Sequence, residues 1–291
     1  MIHENPEQAK KSKGCPSQGG GADMAKKQQE QQAMIKANLA KIKHKIFVLS
    51  GKGGVGKSSV SANLAAALSK RGYKTGLMDV DVHGPSIAQM FGMTELLDLS
   101  PDQQTLMPKQ INENLKVVSV QALMQDKDQA IIWRGPAKTG MIQQFVGAVN
   151  WGELDFLVID APPGTGDEPL TVVQTIPEAQ GVIVTTPQEV ALADIRKSIS
   201  FCKTVKLKTL GIVENMAGFT CPHCNEAIDL FKNGGGEKTA KAHGLNFLGS
   251  IPFDTRVVDA GDQGTPVMLE DGESTFTKAF VKVVDNIVEN L

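Results

Sequence analysis

Apolar residues along the chain alternate between two patterns. Short, mainly apolar runs, KIFVLS (45–50), TGLMDVD (75–81), NLKVVSV (114–120), LDFLVIDAPP (154–163), GVIVTT (181–186), KTLGIVEN (208–215) and NFLGSIP (246–252), predict strands buried on both faces. Between them lie stretches with helical spacing: KSSVSANLAAALSKRGY (57–73), in which Val60, Leu64 and Leu68 recur every fourth residue, PQEVALADIRKSISFCKTV (187–205), and STFTKAFVKVVDNIVENL (274–291). Strands alternating with helices predict an α/β fold of three layers, α/β/α, around a mostly parallel central sheet. Ligands of such folds gather at the carboxyl ends of the strands. Residues 1–40 break the pattern, Gly and Ser-rich first and then rich in Lys, Gln, Ala and Met. They are expected to form a flexible or partly helical N-terminal tail ahead of one folded domain over 41–291.

Composition narrows the picture by exclusion. With 30 Lys plus Arg against 32 Asp plus Glu, the net charge is -2, and nothing demands a nucleic-acid partner. The N-terminus is polar and no apolar run is long enough for a membrane span, so neither a membrane nor a secretory route is expected, and the cytoplasmic location follows. Of the four cysteines, Cys15, Cys202, Cys221 and Cys224, the last two form C-P-H-C. In a chain of this size without a secretion signal, that pair reads as a metal or redox site before a disulfide. Cys202, in a helical stretch, reads as a small hydrophobe.

One loop carries explicit chemistry. Gly51-Lys52-Gly53-Gly54-Val55-Gly56-Lys57-Ser58 fits G-x-x-x-x-G-K-[ST] and sits between a strand and a helix, as a phosphate loop requires. Its small residues let successive amides face phosphates, Lys57 reaches the outer phosphates, and the Ser58 hydroxyl can ligate Mg2+. Ser59 extends the candidate set into the helix. Asp160, ending FLVID, is placed to hold magnesium through water. Asp81 is the candidate for orienting an attacking water, ahead of Asp79. His83, beside a Gly-Pro turn, reads as a loop residue. The segments 84–86 and 162–167 follow strands, carry few bulky groups and suit loops that move when a phosphate leaves. Lys52 is the surplus, since one lysine suffices for the phosphates and spacing alone leaves a solvent-facing turn residue equally open.

The form G-K-G-G-V-G-K-S resembles the deviant Walker A loop of the P-loop NTPase family that includes nitrogenase iron protein, the MinD and ParA positioning ATPases and the arsenite pump ATPase. That resemblance implies that Lys52 reaches across a homodimer to the nucleotide of the partner. Further stretches are similar to the Mrp-type (ApbC-like) iron-sulfur cluster carriers: DVDVHGPSIAQMFG, WRGPAKTGMIQQF, DFLVIDAPPGTGDEPLTVVQ, VTTPQEVALADIRKSI, GIVENMAGFTCPHC and SIPFDTRVVDAGDQGTPV. The resemblance implies an ATPase using ATP and Mg2+, carrying a [4Fe-4S] cluster to apo iron-sulfur proteins. It implies that Asn215 bonds the adenine edge and that Pro252 and Asp254 border the base, with Phe253, Met216 and Trp133 left as packing. It departs from the eukaryotic scaffold branch, which has four N-terminal cysteines where this chain has Cys15 alone.

Ligand arithmetic bears on Cys221 and Cys224. A tetrahedral sulfur site needs four ligands, one C-x-x-C loop gives two, and a two-fold dimer gives four. Zinc on the same four thiolates and a redox dithiol stay open. So do two rival classes: a positioning ATPase, which ought to show a basic amphipathic C-terminal helix or a DNA-binding surface, and an ATP-dependent regulatory switch with a zinc-bound dimer site. The terminal TFTKAFVKVVDNIVENL carries both signs of charge, as a helix docked on its own sheet would.

Overall fold

The alternation of sequence patterns becomes an alternation of elements in the computed structural model, which describes residues 20–81, 84, 86–101, 105–123, 135–221, 224, 226–229 and 231–291. Expectations for Cys15, His83, Pro85, Trp133, Pro222 and His223 lie outside the described residues. In chain order the elements are α1 (Gly20–Leu39), β1 (Ile42–Ser50), α2 (Lys57–Lys70), β2 (Thr75–Asp79), α3 (Ile87–Met90), β3 (Lys109–Asn112), β4 (Leu115–Ser119), α4 (Gly135–Ala148) and β5 (Leu154–Asp160). There follow α5 (Asp167–Thr175), β6 (Gln180–Thr185), α6 (Glu189–Thr204), β7 (Lys208–Thr220), β8 (Ala227–Ile228), α7 (Gly235–His243), β9 (Phe247–Phe253), α8 (Thr255–Asp262) and α9 (Thr275–Glu289).

The strands form one sheet in the order β3-β4-β2-β5-β1-β6-β7-β8, with β9 also pairing β7. Only β3 and β8 run antiparallel to their neighbours among the described strands. Strand β1 is the pivot. It pairs with β5 on one side, Val48 beside Asp160, and with β6 on the other, Val48 beside Val182. The chain leaves β1 toward β2 and later crosses back to β6, so the crevice at the carboxyl end of β1 is the switch point where such sheets bind ligands.

Both faces of the sheet are dry, as the continuous apolar runs require. Ile46 and Val48 face one core with Leu64 and Leu68 of α2 and Phe280 and Val284 of α9, whereas Phe47 and Leu49 face the other with Phe145 of α4 and Ile195 of α6. Trp151 is buried in the second core and donates its indole N–H to the Phe145 carbonyl at 3.2 Å. Helix α9 starts at a capping box, with Ser274 and Thr277 satisfying each other's backbone amides. Helix α1 seats Ile35 and Leu39 in the second core, and Asn38 donates to the carbonyls of Val146, Gly147 and Val149 at the end of α4.

Two strands reach at least three residues beyond the sequence reading. β1 begins at Ile42, since Ile42 is already buried and paired with Leu154. β7 runs on past Asn215 to Thr220, because β9 and β8 give its extension partners on both sides.

Candidate nucleotide and thiol sites

The loop between β1 and α2 is built from its glycines. Gly56 caps α2 with φ of 76°, a left-handed conformation that glycine adopts without steric cost. A side chain there would also collide with Asn215 Nδ2. Gly53 and Gly54 are exposed, Val55 is buried, and Gly51 packs against the Asp194 backbone of α6. Lys52 is half-buried, with its carbonyl accepting from Ser50 Oγ at 2.9 Å. Among the described residues Lys52 makes no ion pair, unlike Lys57.

Lys57 lies buried among carboxylates, with Nζ 2.8 Å from Asp160 Oδ1 and 3.7 Å from Asp81 Oδ2. Asp160 is fully buried and accepts from Ser58 Oγ at 2.6 Å and Ser61 Oγ at 2.7 Å. This brings Lys57, Ser58, Asp81 and Asp160 together at the carboxyl ends of β1, β2 and β5. The Ser58 hydroxyl and the Asp160 carboxylate converge as hard oxygen donors, a set that fits Mg2+. Asp79 pairs in register with Asp160 but turns to β4, accepting from Ser119 Oγ at 2.8 Å. Burial, then the Asp160 charge, push its carboxyl up to about 7, against the pull of its hydrogen bonds. The Gly164 amide donates to the Ser50 carbonyl at 2.9 Å, tying the segment after β5 to the end of β1. Asp167 is exposed in the first turn of α5.

Beside the loop opens a mainly apolar cavity of about 250 Å³. Ser59, Asn215, Met216, Pro252, Phe253 and Asp254 line it, so the predicted base-side residues stand together. Asn215 Nδ2 donates to the Val55 carbonyl at 2.9 Å, joining the cavity to the phosphate loop. Asp254 is also the N-cap of α8 and is ion-paired with Arg256, whose guanidinium holds its carboxyl below the ordinary range.

The cysteine pair stands apart. Cys221 follows β7 and is partly buried, its amide donating to the Glu226 carbonyl at 2.9 Å, and Cys224 is exposed. Five residues of β7, Met216 to Thr220, separate Cys221 from Asn215, so the six steps between them span at most about 20 Å at ~3.3 Å per residue. Cys202 is deep in α6, and burial pushes its thiol up to about 11, which suits an inert packing role. Among the described residues no group of three or more His, Cys, Asp or Glu side chains could hold a metal.

Sequence reasoning missed three contributors. Ser61 reads as one helix polar among several, yet it is the second hydroxyl on Asp160. Met216, assigned to packing, lines the cavity with φ of 56°. Glu214 is fully buried on β7. Its position inside an apolar run, where a charge needs a partner, was the available signal.

Fold and loop together define a P-loop nucleotide-binding protein with the two-lysine, deviant form of the loop. The model of a family described as ParA, NUBPL iron-transfer P-loop NTPase, matches residues 41–288, and the chain belongs to that family, among the carriers of the Mrp or ApbC type. Membership makes it an ATP-binding, ATP-hydrolysing enzyme. It is 47% identical over 278 residues to an iron-sulfur cluster carrier protein of Methanocaldococcus jannaschii, covering 95% of each chain. It is 46% identical over 254 residues to a cytosolic Fe-S cluster assembly factor NUBP2 homolog of Dictyostelium discoideum, covering 85% of this chain and 95% of the other. Among solved structures, a nucleotide-binding protein of Archaeoglobus fulgidus in complex with ADP is similar, with a TM-score of 0.73, 41% identity, and coverage of 86% of this chain and 96% of that one. The cell division ATPase MinD of Pyrococcus furiosus shares the fold, with a TM-score of 0.63 at 22% identity over 84% of this chain and 98% of that one. No helix among the described residues is long and apolar enough to cross a membrane.

Proposed function

We propose that the protein is a cytoplasmic ATP-dependent carrier that holds a labile [4Fe-4S] cluster between the cysteine pairs of a homodimer and passes it to apo iron-sulfur proteins. The observation that carries this reading is that β7 bears Asn215 beside the cavity next to the phosphate loop and ends at Thr220, immediately before Cys221. Family membership and the likeness to curated carriers support it.

In this reading the amides of Gly51 to Lys57 cradle the phosphates and Lys57 exchanges its contact with Asp160 for the outer phosphate oxygens. Ser58, and Asp160 through water, would hold Mg2+, which would supply neutralisation of the phosphate charge. Asp81 orients the attacking water. Lys52 of each subunit contributes to the site of the other, adding positive charge where the transferred phosphoryl group becomes more negative. Asn215, Pro252 and Asp254 receive the base. Cys221 and Cys224 from both subunits supply four thiolates, one for each iron. The cluster is cargo, and its transfer is ligand exchange in which thiolates of the recipient replace those of the carrier.

Anaerobic reconstitution with iron and sulfide, followed by iron analysis against oligomeric mass, tests the reading. The expected result is a dimer with about four irons per two chains. A full cluster on a monomer, or zinc retained in preference to iron at the same thiols, overturns it.

A further inference from the structure

Four carboxylates are buried among the described residues, and three of them, Asp79, Asp81 and Asp160, belong to the phosphate site. The fourth is Glu214. It makes no ion pair among the described residues. Its partners are the amide of Gly234 at 2.9 Å and the amide of Gly236, at the N-terminus of α7, with Ser250 Oγ at 3.4 Å. A helix N-terminus supplies both hydrogen-bond donors and the positive end of the dipole, so a buried carboxylate is satisfied there without a cation. The fit is close: a Cβ on Gly236 would lie 3.0 Å from the Glu214 side chain.

What Glu214 holds is the end of the cysteine-bearing stretch. The chain leaves β7 after Thr220, passes Cys221 and Cys224, pairs back on β7 through β8, and enters α7 after Gly234. The start of that stretch is held too. Phe219, two residues before Cys221, meets Phe253 edge to face with ring centroids 5.9 Å apart. Each holder is tied to the cavity beside the phosphate loop. Phe253 lines it directly, and Glu214 is the neighbour of Asn215, which lines it from the opposite face of the same strand.

Between the two holders β7 has a joint. Met216 has φ of 56° and Gly218 φ of 80°, and the pairing of β7 with β9 shifts register between Asn215 and Phe219. A left-handed methionine is strained backbone, retained where the surroundings impose it. A base entering the cavity competes for the Asn215 amide now given to Val55 and contacts Phe253, so it acts at both sides of this joint.

We propose that Glu214 and Phe219 are positioning residues through which occupancy of the base end of the nucleotide cavity sets the arrangement of Cys221 and Cys224. The proposal rests on the assignment of that cavity to the adenine. It makes the thiol loop answer to the base, present in ADP and ATP alike, and not to the outermost phosphate.

Alkylation of the reduced, metal-free full chain by iodoacetamide, with Cys221 and Cys224 read separately by mass spectrometry, tests this without a cluster. MgADP and a nonhydrolysable MgATP analogue should each change the labelling rate of the pair in the same direction by about fivefold or more, in the range of ordinary coupling between sites. Tripolyphosphate, which has no base, should leave the rate unchanged. Glu214→Gln and Phe219→Leu should bind MgADP normally and lose the labelling response. A response to tripolyphosphate equal to that of MgADP, or a full response in both variants, overturns the proposal. Should Glu214→Gln not fold, hydrogen exchange in the wild type decides: the amides of Gly234 and Gly236 should change protection on MgADP binding, and no change overturns it. Failure of the chain to bind either nucleotide sinks the cavity assignment and this proposal with it. Nucleotide binding with unaltered labelling sinks this proposal alone.

Discussion

Lys57 Nζ stands 2.8 Å from Asp160 Oδ1, with the carboxylate fully buried and the lysine nearly so. Without nucleotide, the lysine that should serve the phosphates is the counter-ion of the strand-end aspartate. On the proposed reading, one side chain has two duties, a structural one before binding and a ligand-binding one after it.

Lys57→Ala should accordingly fail in two assays. Nucleotide binding by calorimetry should be lost. Urea unfolding of the nucleotide-free variant should show destabilisation of about 3 kcal/mol, the usual cost of stranding one member of a buried pair. Normal ATPase activity in this variant would remove Lys57 from the site.

Lys52 makes no ion pair among the described residues, so its loss should spare the fold. Lys52→Ala should bind nucleotide within about tenfold of the wild type while hydrolysis falls about 100-fold or more, as when a group that stabilises transition-state charge is removed. Sedimentation should show that nucleotide no longer tightens the dimer. Hydrolysis at the wild-type rate by a monomeric variant contradicts a role across the dimer.

The cysteines should divide by environment. Cys221→Ala and Cys224→Ala should each abolish cluster retention after anaerobic reconstitution, as read by absorption and iron content. Cys202→Ala should keep the cluster, because its thiol is 1% exposed and pushed up to about 11. An intact cluster in the double variant of Cys221 and Cys224 is incompatible with thiolate ligation there.

Asp79 gives the nucleotide-free, metal-free protein a pH signature. Its carboxyl is raised from 3.8 to about 7 by burial and the Asp160 charge, so its contribution to stability is complete below 3.8 and disappears as the pH rises through about 7. Asp79→Asn should flatten the fall in stability across that window, measured as the difference between the two proteins in urea. Parallel pH profiles would show that Asp79 is not the group responsible.

Much of this molecule was legible because its signals are local. The run FLVI in front of Asp160 marks a buried strand with its acid at the exit, and GKGGVGKS names its own chemistry between a strand and a helix. Contacts made across long separations were not legible. Ser61 meets Asp160 across 99 positions, and Glu214 meets Gly234 and Gly236 across 20 and 22. β3 and α3 are only four residues each, too short for any periodicity to register. The extension of β7 depends on partners that the segment itself does not encode. Met216 reads as packing in the sequence, and its left-handed backbone angle is visible only in the structure.

The contact between Gly56 and Asn215 bears on how this sequence can vary. A last loop glycine is ordinarily credited to the phosphates, but here a Cβ at position 56 would strike the Asn215 amide, and the φ of 76° disfavours it independently. Drift at position 56 is therefore blocked twice, once by its own backbone and once by a residue far along the chain. Shrinking residue 215 would lift only the second barrier and would strip the Val55 carbonyl of its donor. Single-step mutational paths out of this arrangement all pass through a weakened pocket, so the two positions should evolve as one unit.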